Sequence, residues 1–269
     1  MTGDIVERVL SSRRYRGVDA ALVERLAAEE LPRSRGADDA VKRVKRRLHQ
    51  AIGAFGGRAT RSDDTAEAWN GDMANPKFRA ACLSAMRAHA STRERIADLD
   101  RFYGAIWDRT GVPGSIVDLG CGLAPLALPW MGLARRARYV AVDVDRRALQ
   151  RVDSFLDLVR QPHEVVAVDL VNEPAPAGAD VVLALKLVTT LDRQDPSAAA
   201  RLLASIRAPH AVVSFTTRSL SGRERGMART YRSRLERLVA EVPRVTAVSE
   251  ASVVLNELVF ILTLDPAHG

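Results

Sequence analysis

The sequence predicts an α/β fold: a mostly parallel, doubly wound sheet with an antiparallel edge hairpin, preceded by a helical N-terminal domain. Three observations predict it. After the Gly-Val-Pro-Gly segment at 111–114, short β-branched runs alternate with helical stretches, as strands do when crossover helices join them. Before that segment, apolar residues recur at helical spacing and no run has strand character. At the end of the chain two strand-like runs follow each other without a long helix between them, which fits a hairpin on the sheet edge.

Ile5, Val6, Val9 and Leu10 lie on one helical face, as do Leu22, Val23 and Leu26, then Val41, Val44, Leu48 and Ile52. Residues 56–75, rich in Gly, Ser, Asp and Asn, are expected as loop. Helix resumes at Pro76, with room for two helices between Phe78 and Ile106. Strands are expected at 115–119, 138–142, 164–168, 180–185, 210–215, 244–248 and 257–264. Helices are expected at 126–131, 146–159, 198–206 and 226–239. The composition shift divides the chain into a helical, basic domain at 1–110 and an α/β domain at 111–269.

Bulk properties narrow the function. The net charge is +7, carried by 36 arginines and only four lysines. A basic total points to a polyanionic partner, and the planar arginine fork suits phosphates and guanine edges. Cys82 and Cys121 form no CxxC pair, so neither a metal site nor a disulfide framework is expected. The N-terminus lacks a basic-then-apolar signal, and no apolar run reaches the roughly 20 residues that span a bilayer. The expectation is a cytoplasmic, monomeric protein without a membrane segment.

The segment Ser115-Ile-Val-Asp118-Leu-Gly120-Cys-Gly122-Leu-Ala-Pro125 falls where the first strand should turn into the first helix. Gly120 and Gly122 allow positive φ and close approach to a ligand. Open α/β sheets bind ligands beyond the carboxyl ends of their strands, at the point where strand order reverses. The pattern is GxGxxP, so the dinucleotide fingerprint is incomplete. With Asp118 ahead of the glycines it is the variant that holds the amino-acid end of S-adenosyl-L-methionine. Asp143 ends the second strand about 20 residues on, where an acid accepts ribose hydroxyls. Asp169 follows the third strand, where an acid takes an adenine amino group and Leu170 packs on the ring. Three helix N-caps would give the same acids; three of them beside a glycine turn favour a cofactor.

The residues then resemble a known family: the aminoglycoside-resistance methyltransferases that modify N7 of a decoding-site guanine in bacterial 16S ribosomal RNA. The resemblance runs through Ser12-Arg-Arg-Tyr15, Asp39-Ala-Val-Lys-Arg43, Lys45-Arg46, Leu48-His49, Gly53-Ala-Phe55 and, most specifically, His89-Ala-Ser-Thr-Arg-Glu-Arg95. Cys121-Gly-Leu, Pro125-Leu126, Pro129-Trp-Met-Gly-Leu133, Leu185-Lys186, Ser219-Leu220 and Asn256-Glu257-Leu258 complete it. It implies a Rossmann-like class I methyltransferase sheet, with Arg95 on the cofactor carboxylate and Gly120, Asp143, Asp169 and Leu170 around the rest. Three features depart from the family pattern: Ala124 stands at an asparagine position, the stretch between His49 and His89 is shortened, and Leu187 stands where a proline is common.

Guanine N7 carries a lone pair and no proton, so its methylation needs no general base and rests on proximity and orientation. Lys186, at a strand end on the same edge, is the candidate for steering the target nucleotide. Lys42, Arg43, Lys45, Arg46 and Arg47 crowd one helix whose apolar stripe turns them outward. Arg218, Arg223, Arg225 and Arg229 form a second cluster, with Arg232 and Arg234 beyond it. Two clusters of one sign flanking a cofactor site favour RNA phosphates of the 30S subunit over an idle solvated face. A small-molecule methyltransferase, a non-catalytic RNA-binding factor and methylation of another decoding-site base remain as alternatives.

Overall fold

The computed structural model describes residues 1–50, 63–87, 90–176, 178–216, 224–254 and 257–265. Helices α1 (Thr2–Leu10), α2 (Ala20–Glu30) and α3 (Ala37–Leu48) come first. Then follow α4 (Asp63–Ala68), α5 (Pro76–Arg87), α6 (Ala90–Arg93) and α7 (Leu99–Thr110). The α/β part runs β1 (Ser115–Leu119), α8 (Leu128–Met131), β2 (Arg138–Asp143), α9 (Arg146–Leu158), β3 (His163–Ala167) and β4 (Val181–Leu185). It continues with α10 (Val188–Asp192), α11 (Ala198–Ser205), β5 (His210–Thr216), α12 (Glu224–Ala240), β6 (Val245–Val254) and β7 (Glu257–Leu264).

The seven strands form one sheet in the order β3-β2-β1-β4-β5-β7-β6. Strands β1 to β5 pair in parallel; β7 runs antiparallel to both β5 and β6. The expected class and the edge hairpin are therefore present. Order reverses between β1 and β4, so the switch point lies where those two strands end. Strand β4, Val-Val-Leu-Ala-Leu, is buried at every position, as a central strand covered on both faces must be.

Alternation sorts the side chains. One face, with Ile116, Tyr139, Leu183, Val212, Val259 and Ile261, packs on α5, α7 and α9. The other, with Val117, Val140, Val182, Val213 and Leu262, packs on α11 and α12. Helices α1 to α3 close a third core around Leu22, Leu26 and Val44. By packing, then, α5 and α7 belong with the sheet, and the change of secondary structure near residue 110 falls inside one core.

Local chemistry sets the helix ends. The Asp145 carboxylate accepts from the N–H groups of Arg147 and Ala148 to cap α9. Helix α3 opens on Asp38 and Asp39 and closes on Lys45, Arg46 and Arg47, matching its dipole at both ends. Two expectations need correcting. The stretch expected as loop contains α4, and β6 extends to Val254, well past the run expected at 244–248. Gly53-Ala-Phe55 lies outside the described residues.

Candidate active site

The glycine turn occupies the switch point. Gly120 and Gly122 adopt φ of +66° and +51°, the left-handed region that side chains disfavour. A Cβ on Gly120 would stand 3.0 Å from Leu187 Cδ1, so the turn lies against a residue two positions past β4. The Cys121 N–H donates to Val142 O (2.9 Å) and the Gly122 N–H to Asp143 Oδ2 (2.8 Å). Asp143 also accepts from the Asp145 N–H through Oδ1 (2.9 Å). Its carboxylate thus joins the end of β2 to the glycine turn. Burial raises its pKa, and the N–H groups of Asp145 and Gly122 oppose that rise.

Asp118 lies deeper than an open edge. It is 1% exposed and accepts from the Tyr139 hydroxyl at 2.8 Å. Burial pushes its pKa up to about 7. It is therefore a buried acid tied to β2 through Tyr139, in the strand that leads into the turn. Cys121 is buried with its thiol pKa raised well above the ordinary value by the same cause, and Cys82 is pushed up to about 12. Neither thiol is poised as a nucleophile.

Asp169 meets a residue that sequence reasoning missed. Arg25, on α2, donates from Nε to Asp169 Oδ2 (2.5 Å) and from Nη2 to Oδ1 (3.3 Å). Arg25 also donates to Gln194 Oε1 (2.8 Å) and Glu29 Oε1 (2.9 Å). The acid expected beside adenine is thus already held by an arginine from the first three helices. Leu170 is buried in the core of the α11 face.

Arg95 is 3% exposed and paired with neither Glu94 nor Asp98. Its Nε and Nη2 donate to Glu257 Oε2 (2.8 Å) and Oε1 (2.6 Å), and its guanidinium stands over the Phe102 ring. That bidentate pair leaves the Nη1 end of the fork for a second carboxylate. Glu257 was visible only as a family match. An acid beginning an otherwise apolar strand, in phase with inward Val259 and Ile261, was the available signal.

Lys186 departs from expectation. It is 6% exposed with φ of +60°, and its Nζ donates to Glu94 Oε2 (2.5 Å) and lies 3.4 Å from Glu257 Oε2. It ends in an ionic cluster rather than reaching freely from the edge.

The basic helix divides in two. Lys42 and Arg46 are exposed and Lys45 half-exposed. Arg43 donates to Glu30 (2.7 Å) and Arg47 pairs with Glu29 and Glu30, so these two cations brace α3 against α2 instead of standing outward. In the second cluster Arg229 is exposed, while Arg232 and Arg234 are paired with Glu250 and Asp192. Arg218 and Arg223, and the side chain of Arg225, lie outside the described residues, as do His89, Ser219, Leu220 and Asn256.

Residues 11–261 match the family model described as ribosomal RNA methyltransferase (FmrO). The chain belongs to this family. It is 42% identical to a 16S rRNA (guanine(1405)-N(7))-methyltransferase of Frankia casuarinae, across 95% of this chain and 91% of that one. It is 37% identical to an enzyme of the same name from Micromonospora echinospora, across 96% of each. The crystal structure of 16S rRNA methyltransferase RmtF in complex with S-adenosyl-L-homocysteine superposes with a TM-score of 0.82 at 30% identity, covering 98% of both chains. Among the described residues no helix is long and apolar enough to cross a membrane.

Proposed function

We propose that this chain transfers a methyl group from S-adenosyl-L-methionine to N7 of guanine 1405 in the 16S rRNA of the 30S subunit, the reaction for which its relatives are named. One observation carries the reading: a glycine turn at the sheet's switch point, anchored by Asp143, in a chain alike to those relatives over nearly its whole length. The residues fit the cofactor. Acceptors at Asp143 and Asp169 suit its hydroxyl and amino groups, and the remaining edge of Arg95 suits its carboxylate. Gly120 and Gly122 give the close approach, with Asp118 beneath them and Leu170 behind Asp169.

When bound, S-adenosyl-L-methionine supplies an electrophilic sulfonium methyl. Guanine N7 carries a lone pair and no proton, so its methylation would ask no general base of this chain. The protein's task is to hold the base in line and keep water out. Lys186 places a fixed positive charge beside the site, to steer the nucleotide through its position. Lys42, Lys45, Arg46 and Arg229 meet RNA phosphates, and the base flips out of its stack to reach the turn. The division of labour follows the chain: α1 to α3 read the ribosome and the sheet binds the cofactor. The enzyme works as a monomer in the cytoplasm, where its substrate resides, and none of these steps calls for a metal ion.

The test is to incubate the purified chain with 30S subunits and S-adenosyl-L-methionine and map 16S rRNA by primer extension and mass spectrometry. A single 7-methylguanine at position 1405, the position in the relatives' names, is expected. Cells expressing the chain should then resist gentamicin and kanamycin. Unmodified RNA, or a methyl group on another base, overturns the assignment.

A further inference from the structure

Under the face occupied by Ile116, Val212 and Val259, the apolar row gives way at the strand ends to polar side chains. Glu257 is the centre of that change. Its side chain has no exposure, and four donors surround the carboxylate. Oε1 accepts from Arg95 Nη2 (2.6 Å) and from Ser214 Oγ (2.5 Å). Oε2 accepts from Arg95 Nε (2.8 Å) and faces Lys186 Nζ at 3.4 Å. A carboxylate has about four lone-pair sites, so this one is fully used.

The same cluster fixes Lys186 by its backbone. The Lys186 N–H donates to Ser214 O (3.1 Å) and Ser214 Oγ (3.0 Å), which hold a left-handed conformation that disfavours a side chain. Ser214 Oγ therefore accepts from Lys186 while donating to Glu257. Glu94 Oε2 closes the ring, taking Lys186 Nζ (2.5 Å) and Thr216 Oγ1 (3.2 Å). Next in the chain, Leu187 is the residue that packs on Gly120. Two cations and two anions from the turn after α6, the residue that follows β4 and the start of β7 thus meet where the glycine turn begins.

Resting on the function proposed above, we infer that Glu257 is a positioning residue: it aims the Arg95 fork at the cofactor carboxylate and locks Lys186, through Ser214, beside the glycine turn. It touches neither reactant. Burying such a cluster is expensive, and an apolar set of the same volume would stabilise the fold at least as well. Its yield is a single orientation for both cations.

The experiment separates aiming from folding. Glu257→Gln keeps the shape and removes the charge. Binding of S-adenosyl-L-homocysteine and of 5′-methylthioadenosine, which lacks the amino-acid end, is measured by calorimetry on the full chain. Glu257→Gln should weaken S-adenosyl-L-homocysteine at least 10-fold and 5′-methylthioadenosine less than 2-fold. Ser214→Ala, a milder change, should shift the first about 3-fold and leave the second alone. Equal loss of both ligands, or no loss of either, overturns the inference. These readouts use no RNA, so failure here is distinct from failure to methylate 16S rRNA.

Discussion

Asp143 and Asp169 occupy similar places, the one ending its strand and the other two residues past the end of the neighbouring strand, yet they are held by different parts of the molecule. Asp143 accepts two main-chain N–H groups, one from the glycine turn and one from two residues ahead. Asp169 accepts one main-chain N–H, from Val171 (3.2 Å), and is otherwise gripped by Arg25, 144 positions away on a helix of another core. The first arrangement is built into the strand-turn-helix unit and forms whenever that unit forms. The second exists only when α2 is docked. One end of the cofactor edge is thus intrinsic to the sheet, and the other is completed by the helices proposed to read the ribosome.

Substitutions can break this contrast. The largest effect expected is from Arg25→Met, which leaves the buried Asp169 carboxylate without its cation and with only the Val171 N–H. Loss of one partner of a buried pair costs about 3–5 kcal/mol, so the denaturant midpoint should fall sharply. Asp143→Ala removes two local main-chain bonds but breaks no ion pair, so it should lower the denaturant midpoint less than Arg25→Met while weakening S-adenosyl-L-homocysteine by roughly 100-fold in calorimetry, since hydrogen bonds to a charged group are worth about 1.5–3 kcal/mol each. If the two variants exchanged phenotypes, the contrast would be wrong.

Asp118 sharpens it through pH. Its folded-state pKa of about 7 exceeds the ordinary 3.8, so the folded chain binds the proton more tightly than the unfolded chain. Its contribution is fully present below the ordinary value and is lost as pH rises towards and through about 7. Between roughly pH 6 and 8 the loss is about 1.4 kcal/mol for one proton. Asp118→Asn cannot ionise, so its stability relative to wild type should climb by that amount over this range. A flat difference would refute a buried, largely protonated acid. The smallest effect belongs to the outer cations. Lys42→Ala with Arg46→Ala should weaken 30S binding several-fold and lower the salt slope by about 2, without changing S-adenosyl-L-homocysteine affinity. Arg47→Ala should act on stability instead.

Much of this was legible in the sequence because it is periodic or local. The seven strands, the edge hairpin and the glycine turn follow from alternation, from the absence of a helix before β7, and from two glycines at a strand end. Arg25 was not legible: it sits on a polar helix face with Glu29 four residues on, an ordinary solvated pair. Arg43 and Arg47 looked like outward charge because only the packing of α3 on α2 brings Glu29 and Glu30 beneath them. Lys186 looked like a strand-end cation because no local pattern announces a left-handed turn at lysine. Each miss is a contact between distant segments, and such contacts leave no trace in spacing.

The short link at Gly17 to Asp19 gives α1–α3 a second hold on the sheet. Asp19 N–H donates to Val144 O, Arg146 N–H to Gly17 O, and Val18 bridges Asp145, while a Cβ on Gly17 would strike the Arg147 side chain at 2.5 Å. These main-chain stitches land on the residues immediately after Asp143. A torque applied to the first three helices by a large particle would therefore be delivered, with little slack, to Asp143, the residue proposed to meet the cofactor's hydroxyls. Tightness of grip outside and alignment inside become one mechanical variable.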